Sequence, residues 1–292
     1  MSNHRRLAFI LALVLRPDLA PAQQDSVARY PRATIPGTEV RHVHSDIVGE
    51  DFEISVTLPL DYTPSDAKYP VLYLTDADMW FAGATQIIRF MQVREELPQM
   101  ILVGIGYGTE DPREWRTTRR RDLTPTQVSD DELGVSGGAA AFLRFIREEL
   151  MPLVNENYRT SSDNTLAGGS LGGLFALYAL FHAPDTFQRY IIVSPSIWWG
   201  DRVTLEYEAG YAADHSDLPA MVFMSVGGLE EPPGSESQMI SNMKELAERL
   251  RRRNYPSLHL ETIVFDAETH VSVIAAATSR GLRVIYRDYA PR

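Results

Sequence analysis

The order of hydrophobic and polar positions along the chain predicts strands that alternate with helices. Near the N-terminus, Val40 to His44 and Phe52 to Leu58 alternate with more polar neighbours, as two half-buried antiparallel strands do. Further on, apolar runs predict strands that are buried on both faces, at residues 69–74, 100–105, 189–194 and 220–226, and a further strand is predicted at 258–265.

Between these runs the apolar residues have helical spacing, at 82–97, 139–155, 171–182, 236–253 and in a last helix that continues to about residue 289. Buried strands that alternate with helices are typical of a doubly wound sheet. The pattern therefore predicts the α/β class: a mostly parallel central sheet, an N-terminal antiparallel strand pair, and helices on both faces.

Residues 111–132 show no clear period and predict an irregular loop that is rich in Arg, Thr and Asp. This loop contains Arg119-Arg-Arg-Asp-Leu-Thr-Pro125 and follows a buried strand, at the sheet edge where α/β folds bind ligands. Its arginines, Arg121 among them, are candidate contacts for an acidic or metal-chelating substrate. A solvated basic surface is the alternative.

Composition narrows the classes of partner. The 292 residues are 44% hydrophobic and 23% charged, which is ordinary for a globular protein with a large core. A formal net charge of −11 argues against nucleic acid or an anionic membrane surface as the main partner. The absence of cysteine excludes disulfides, thiol catalysis and cysteine metal sites. His42 and His44 share a strand face, but nothing nearby completes a metal site.

The N-terminal residues have the features of a secretory signal. His4-Arg5-Arg6 precedes an apolar run from Leu7 to Leu15, and Ala20-Pro21-Ala22 supplies small residues at cleavage-site spacing. Nine apolar residues are too few to span a bilayer. We expect a signal peptide at 1–22, an extension at 23–38, one domain at 39–292 and a periplasmic or secreted protein. A disordered leader is the alternative for the first segment.

One stretch carries a recognisable chemical motif. Gly168-Gly169-Ser170-Leu171-Gly172 fits G-x-S-x-G, in which a serine sits on a sharp turn between a strand and a helix. Flanking residues must be nearly free of side chains so that strand and helix can pass closely. The helix N-terminus then favours negative charge that develops beside the serine. A glycine-rich turn with an incidental serine is the alternative.

A nucleophilic serine needs a base, and the positions of the histidines single one out. Hydrolases with this turn take their acid and base, in that chain order, from loops after later strands. His182 ends a helix, His215 lies in a polar loop before a strand, and His259 lies inside a strand. Only His270 follows the last strand, so it is the candidate base.

The candidate acid follows the preceding strand. Glu230 and Glu231 both occupy that loop, and we prefer Glu230. Asp266 and Glu268 lie so close to His270 in sequence that an orienting hydrogen bond is less natural. A serine–histidine dyad without a dedicated acid stays open.

Two further groups complete the candidate site. Developing negative charge needs backbone donors, one being the N–H of Leu171 and the other belonging to the loop Asp76-Ala77-Asp78 after the first buried parallel strand. Trp198 and Trp199 follow a strand end, where they are either core residues or the wall of a substrate pocket.

Three stretches together resemble the putative-esterase family of α/β-hydrolases: LAGGSLGGLFALYAL, FQRYIIVSPSIWW and ETHVSVIAAATSRGLRVIY. That family includes enterochelin and bacillibactin esterases, S-formylglutathione hydrolase, feruloyl and acetylxylan esterases and the antigen 85 mycolyltransferases. VLYLTDADMWF resembles the family strand that ends in L-D-G, with Ala77 in place of the glycine. The resemblance implies that Asp78 supplies the second oxyanion N–H, and it makes Trp80 a further candidate substrate contact. RRRDLTP resembles a stretch of the siderophore-esterase-like branch.

These observations predict a serine carboxylic-ester hydrolase that forms an acyl-enzyme on Ser170. The expected substrate is a small-molecule ester, and no cofactor is expected. The resemblance and the arginine loop suggest a siderophore-type ester, whereas Trp198, Trp199 and the expected export suggest an aryl ester of feruloyl type. Transfer of the acyl group to another acceptor uses the same residues and stays open. So does a catalytically silent hydrolase fold that only binds.

Overall fold

Eight strands form one sheet in the computed structural model, in the order β1-β2-β4-β3-β5-β6-β7-β8. The structure describes residues 34–60, 62, 65–128 and 134–289. The pairs β1–β2 and β2–β4 are antiparallel, and every later neighbouring pair is parallel. The strands are β1 (Thr38–Ser45), β2 (Glu50–Thr57), β3 (Tyr69–Leu74), β4 (Ile101–Gly106), β5 (Thr160–Gly169), β6 (Arg189–Val193), β7 (Ala220–Gly227) and β8 (Leu258–Phe265). The predicted sheet is confirmed.

Helices cover both faces of this sheet, as predicted. Val71 and Tyr73 of β3 belong to a core that includes residues of α3 to α7. Leu72 and Leu74, which point the other way, pack in a second core with α1 and α8. The helices are α1 (Ala77–Val93), α2 (Pro112–Leu123), α3 (Ala139–Arg144), α4 (Met151–Asn157), α5 (Leu171–His182), α6 (Trp199–Asp214), α7 (Met239–Arg253) and α8 (Val273–Ile285), with a π-helical segment, Phe145–Leu150, between α3 and α4.

The prediction of an irregular loop at 111–132 is wrong for the first half of that range, which forms α2. Asp111 caps this helix by accepting a hydrogen bond from the Arg113 N–H at 2.8 Å, and Pro112 occupies its first turn. The buried face of α2 carries Arg119, Arg120 and Asp122 as well as Leu123. Because charged side chains fill positions that are usually apolar, the helix shows no hydrophobic period.

Helix α6 has no counterpart among the predicted elements. It begins with a kink, since Gly200, Asp201 and Arg202 have positive φ values of 55°, 53° and 68°. Glu208 lies on its buried side and accepts a hydrogen bond from Arg253 Nε at 2.7 Å. A buried, paired carboxylate interrupts the apolar pattern here as well.

The described part of the chain belongs almost wholly to one compact unit, Gly37–Arg292. The predicted signal peptide at 1–22 lies outside the described residues, as do residues 23–33 of the predicted extension at 23–38. Among the described helices, none is long and apolar enough to cross a membrane.

Candidate active site

Ser170 is the single residue that turns the chain from β5 into α5. Its φ of 58° and ψ of −118° form a combination that non-glycine residues rarely adopt, at a cost of about 1–3 kcal/mol. Hydrogen bonds hold the turn in place. The Ser170 N–H donates to Val193 O at 2.9 Å, and Ser170 O accepts from the Leu174 N–H at 3.0 Å.

The glycines beside Ser170 are required by close packing. A Cβ on Gly168 would lie 2.5 Å from the backbone of Gly172. A Cβ on Gly172 would lie 2.4 Å from Thr75 Oγ1 and 3.3 Å from Asp76 Oδ2. The start of α5 therefore packs directly against the residues that follow β3.

His270 and Glu230 meet on the loops that follow the last two strands. His270 Nδ1 lies 2.5 Å from Glu230 Oε2. Two backbone bonds tie the loops together, from the Gly228 N–H to Phe265 O at 2.8 Å and from the Leu229 N–H to Glu268 O at 3.0 Å. The structure thus brings the predicted base and the preferred acid into direct contact.

The surroundings of Glu230 keep its carboxylate charged. Its side chain is only 2% exposed, and Oε1 accepts hydrogen bonds from Ser194 Oγ and the Gly227 N–H, each at 2.6 Å. Burial opposes the charge, but the hydrogen bonds from His270, Ser194 and Gly227 outweigh it and lower the pKa of Glu230 below its ordinary value. Since an ionised carboxylate can only accept, Nδ1 of His270 donates and Nε2 is left as an acceptor.

One cleft of about 290 Å³ is lined by Ser170, His270 and Glu230. The other residues that line it are Ser196, Trp198, Leu229, Ser237 and Met239. Ser170 Oγ lies 3.5 Å from Ser196 Oγ, and His270 is partly exposed across the same cleft. Catalytic hydrogen bonds commonly tighten only when substrate binds. Among the described residues, no three His, Asp or Glu side chains are placed to hold a metal ion.

Glu231, the alternative acid, faces a different element. Its carboxylate accepts a hydrogen bond from the Ser241 N–H at 2.7 Å and from Ser241 Oγ, in the first turn of α7. Glu268, which flanks His270 in sequence, instead accepts from Ser272 Oγ. Of the carboxylates considered, the structure places Glu230 beside His270.

Residues 75–78 run from the end of β3 into the first turn of α1, and we call them the oxyanion segment after the role expected for Asp78. Asp76 adopts a left-handed conformation with φ 57° and ψ 40°, and α1 begins at the next residue. The Asp78 carboxylate accepts from the backbone N–H groups of Tyr107 and Gly108 at 2.9 and 2.8 Å, which fixes this residue. Asp78 and Leu171 both lie in the first turn of a helix, where backbone N–H groups have no partner within the helix.

A buried ion pair that sequence reasoning missed supports the oxyanion segment. Arg119 of α2 donates to Asp76 through Nε at 2.7 Å and Nη2 at 2.8 Å, and Nη2 also lies 3.5 Å from Gly169 O. Burial opposes its charge, but the Asp76 carboxylate raises the pKa of Arg119 above its ordinary value. Arg119 therefore links the oxyanion segment to the residue before Ser170.

We expect Arg119→Met to reduce both folding stability and turnover. The substitution leaves the Asp76 carboxylate buried without its partner, which costs about 3–5 kcal/mol of unfolding free energy. A displaced oxyanion segment lowers kcat about 10²-fold with little change in KM. Urea unfolding and p-nitrophenyl acetate kinetics measure the two effects. Arg119→Lys, which keeps the charge, recovers part of kcat, and an unchanged kcat in folded Arg119→Met contradicts the positioning role.

The other predicted contacts are spread over several places. Trp198 is 41% exposed and lines the cleft with Ser170. Trp199 is buried, and its indole N–H donates to Thr126 Oγ1 at 3.1 Å. Arg121 pairs with Glu50 at 2.6 Å and Asp122 at 2.7 Å. Trp80 lines a separate crevice between α1 and α8. Of the four, only Trp198 is among the residues that line the Ser170 cleft, and their roles as substrate contacts stay predictions.

A serine on a strand-to-helix turn of a parallel sheet, with a paired histidine and carboxylate after the last two strands, defines a serine hydrolase of the α/β-hydrolase class. Within that class, the chain belongs to the putative-esterase family, whose model, described as Putative esterase, matches residues 45–261. His270 lies beyond the matched residues, so its place in the site rests on the geometry above.

Individual relatives agree with this assignment. The chain is 36% identical over 272 residues to ferri-bacillibactin esterase BesA of Bacillus subtilis, covering 88% of this chain and 92% of that protein. It is 29% identical over 282 residues to siderophore triacetylfusarinine C esterase of Aspergillus fumigatus, covering 87% and 95%. The crystal structure of BES protein from Bacillus cereus matches with a TM-score of 0.78 at 32% identity, covering 91% and 100%. The chain is a serine ester hydrolase, and the predicted resemblance is confirmed.

Proposed function

We propose that Ser170 is the nucleophile, His270 the general base and acid, and Glu230 the residue that orients His270. One observation carries this proposal. His270 and the buried Glu230 carboxylate are joined by a 2.5 Å hydrogen bond, and both residues line the same cleft as Ser170. A serine hydroxyl becomes nucleophilic only when such an oriented base takes its proton.

In the proposed reaction, the proton of Ser170 Oγ passes to His270 Nε2 as Oγ attacks the ester carbonyl. The N–H groups of Leu171 and Asp78 stabilise the resulting oxyanion, an effect worth several kcal/mol in related enzymes. His270 then protonates the leaving alcohol, and water releases the acid from the acyl-enzyme. If another hydroxyl replaces water, the same residues transfer the acyl group.

The proposed substrate is a siderophore-type ester, meaning an iron chelator whose units are joined by ester bonds. The names of the two relatives, a ferri-bacillibactin esterase and a triacetylfusarinine C esterase, support this class. Arg121, a predicted substrate contact, is held in ion pairs with Glu50 and Asp122.

The proposed site of action is the periplasm or the medium. The basic and apolar residues at 1–15, followed by Ala20-Pro21-Ala22, support export of the mature chain. Cleavage after residue 22 in a secreting bacterium, measured by mass spectrometry of the purified protein, is the expected result. An intact N-terminus on cell-associated protein contradicts it.

Product analysis across three classes of ester tests the proposed substrate. We expect a catecholate trilactone to be hydrolysed with a kcat/KM on the order of 10²-fold above that of a feruloyl sugar or p-nitrophenyl acetate, because a larger substrate gains binding energy in the transition state. Chromatography with mass detection follows the linear trimer, dimer and monomer, and Ser170→Ala protein gives the background. A feruloyl sugar that exceeds the trilactone refutes the siderophore assignment, and an acyl adduct on an added alcohol in place of free acid shows acyl transfer.

A further inference from the structure

A second crevice lies on the α1 and α8 side of the sheet, against the strand that carries Ser170. It holds about 60 Å³. Its walls are α1 and α8 and its floor is formed by the strands between them, with principal lining residues Trp80, Gly83, Ile87, Gly169, Ile274 and Thr278. None of these lines the cleft that contains His270 and Trp198. The crevice is therefore a separate cavity of the described structure.

The surface of this crevice is apolar. No charged side chain is among the residues that line it. The hydroxyls that reach it are already used, since Thr278 Oγ1 donates to Ile274 O at 2.7 Å and Thr75 Oγ1 to Ala167 O at 3.5 Å. A ferric chelate with net negative charge would be desolvated here without compensation. The occupant that fits is an uncharged alkyl or aryl group.

Two residues that line the crevice are sequence neighbours of the proposed catalytic groups. Gly169, the residue before Ser170, forms part of its floor, and a Cβ on Gly169 would lie 3.7 Å from Ile274 Cδ1. Thr75, the first residue of the oxyanion segment, lines it as well. The crevice is thus lined by the residue that precedes the serine proposed to carry the acyl group.

We propose that this crevice binds an apolar portion of the acyl part of the ester. The proposal rests on the proposed acyl-enzyme at Ser170. The leaving alcohol must lie near His270, which protonates it, and so belongs in the cleft with Trp198 and Leu229. The acyl group stays attached to Ser170 and extends past Gly169 to the other side. The site would distinguish esters by the size of the group next to the scissile carbonyl.

Gly83 is a lining residue at which a side chain can be added to narrow the crevice. A Cβ placed on it meets no atom within 4 Å, so the added side chain displaces no neighbour at that point. Gly210 of α6 is a matched control, since it is also a helical glycine whose Cβ meets nothing within 4 Å, and it is not among the lining residues. Leucine favours helix over glycine at both positions.

The test compares p-nitrophenyl butyrate with p-nitrophenyl acetate, each corrected for its alkaline hydrolysis rate. Each methylene that leaves water gains roughly four-fold, so we expect a butyrate to acetate ratio of kcat/KM of about 15 in the unmodified protein. Gly83→Leu brings the ratio close to about 1, Gly83→Ala gives an intermediate value, and Gly210→Leu keeps it. A ratio in Gly83→Leu equal to that in Gly210→Leu overturns the proposal.

Two controls separate this proposal from the assignment of the nucleophile. If Ser170→Ala still hydrolyses acetate, the proposed nucleophile is wrong. If Ser170→Ala is inactive but the Gly83 variants keep the butyrate to acetate ratio of the unmodified protein, only the crevice proposal fails. Thermal unfolding shows whether Gly83→Leu is folded. Gly83→Ala, which adds one methyl at an exposed helical position, supplies the same comparison should the leucine variant unfold.

Discussion

Ser170→Ala is expected to lower kcat for p-nitrophenyl acetate by at least about 10³-fold, with the fold intact. The hydroxyl forms the covalent bond in the proposed reaction, and no other group in the cleft can replace it at the end of β5. The remaining rate comes from binding and from the oxyanion donors, which act without the nucleophile. Stopped-flow and steady-state assays of the purified variant measure this directly.

Ser196→Ala is the matched control for that experiment. Ser196 Oγ lies 3.5 Å from Ser170 Oγ in the same cleft, but Ser196 is not the turn residue between β5 and α5 and is not among the residues with positive φ. We expect its loss to change kcat less than about ten-fold, since one uncharged hydrogen bond contributes about 0.5–1.5 kcal/mol. A fluorophosphonate should label wild type and Ser196→Ala, but not Ser170→Ala. Labelling that follows Ser196 instead would reassign the nucleophile.

The parts of the fold that the sequence predicts well are those in which apolar residues do the packing. Tyr69–Leu74 is apolar along its length, and Leu258–Phe265 is bounded by clear turns. The structure has both strands at the predicted residues. The turn at Ser170 was predictable for a related reason. Its motif is contained within five consecutive residues, and one of the close contacts that require glycine, Gly168 with Gly172, is local.

Helices α2 and α6 were missed because buried charges replace apolar residues on their inner faces. Arg119 is buried against Asp76, and Glu208 against Arg253. A buried charge is tolerated only when it is paired, and its partner lies elsewhere in the chain. Asp76 and Arg119 are 43 positions apart, and the sequence carries no local sign that the two meet. Hydrophobic periodicity cannot detect such a helix.

The same difficulty affected the candidate contacts. The arginines at 119–121 were candidate substrate contacts or a solvated surface, but Arg119 pairs with Asp76 of the oxyanion segment and Arg121 pairs with Glu50 and Asp122. Trp198 and Trp199 are adjacent in sequence, yet only the first lines the Ser170 cleft. Strand order predicts which loops converge, whereas the direction of each side chain depends on packing that only the folded chain determines.

Glu230→Gln is expected to lower kcat by about 10³–10⁴-fold, as the loss of an orienting carboxylate does in other serine hydrolases. A glutamine amide can present its NH₂ group to Nδ1 of His270, which stabilises the tautomer with the proton on Nε2. That tautomer cannot accept the Ser170 proton. Because hydrogen bonds lower the pKa of Glu230, the wild-type carboxylate stays charged as the pH falls toward its ordinary value. The wild-type carboxylate is therefore expected to remain ionised from about pH 8 to 5.5, and steady-state assays with p-nitrophenyl acetate in that range measure kcat for both proteins.

Glu231→Gln distinguishes the orienting role from a general effect of charge in this loop. It removes one negative charge from the adjacent residue, but its carboxylate is bound to Ser241 in α7 and not to His270. We expect a change in kcat of less than about three-fold, in keeping with a partly exposed group outside the cleft. If both variants keep the wild-type rate, Ser170 and His270 act as a dyad. If Glu231→Gln alone is impaired, the loop rearranges in solution and the second glutamate is the acid.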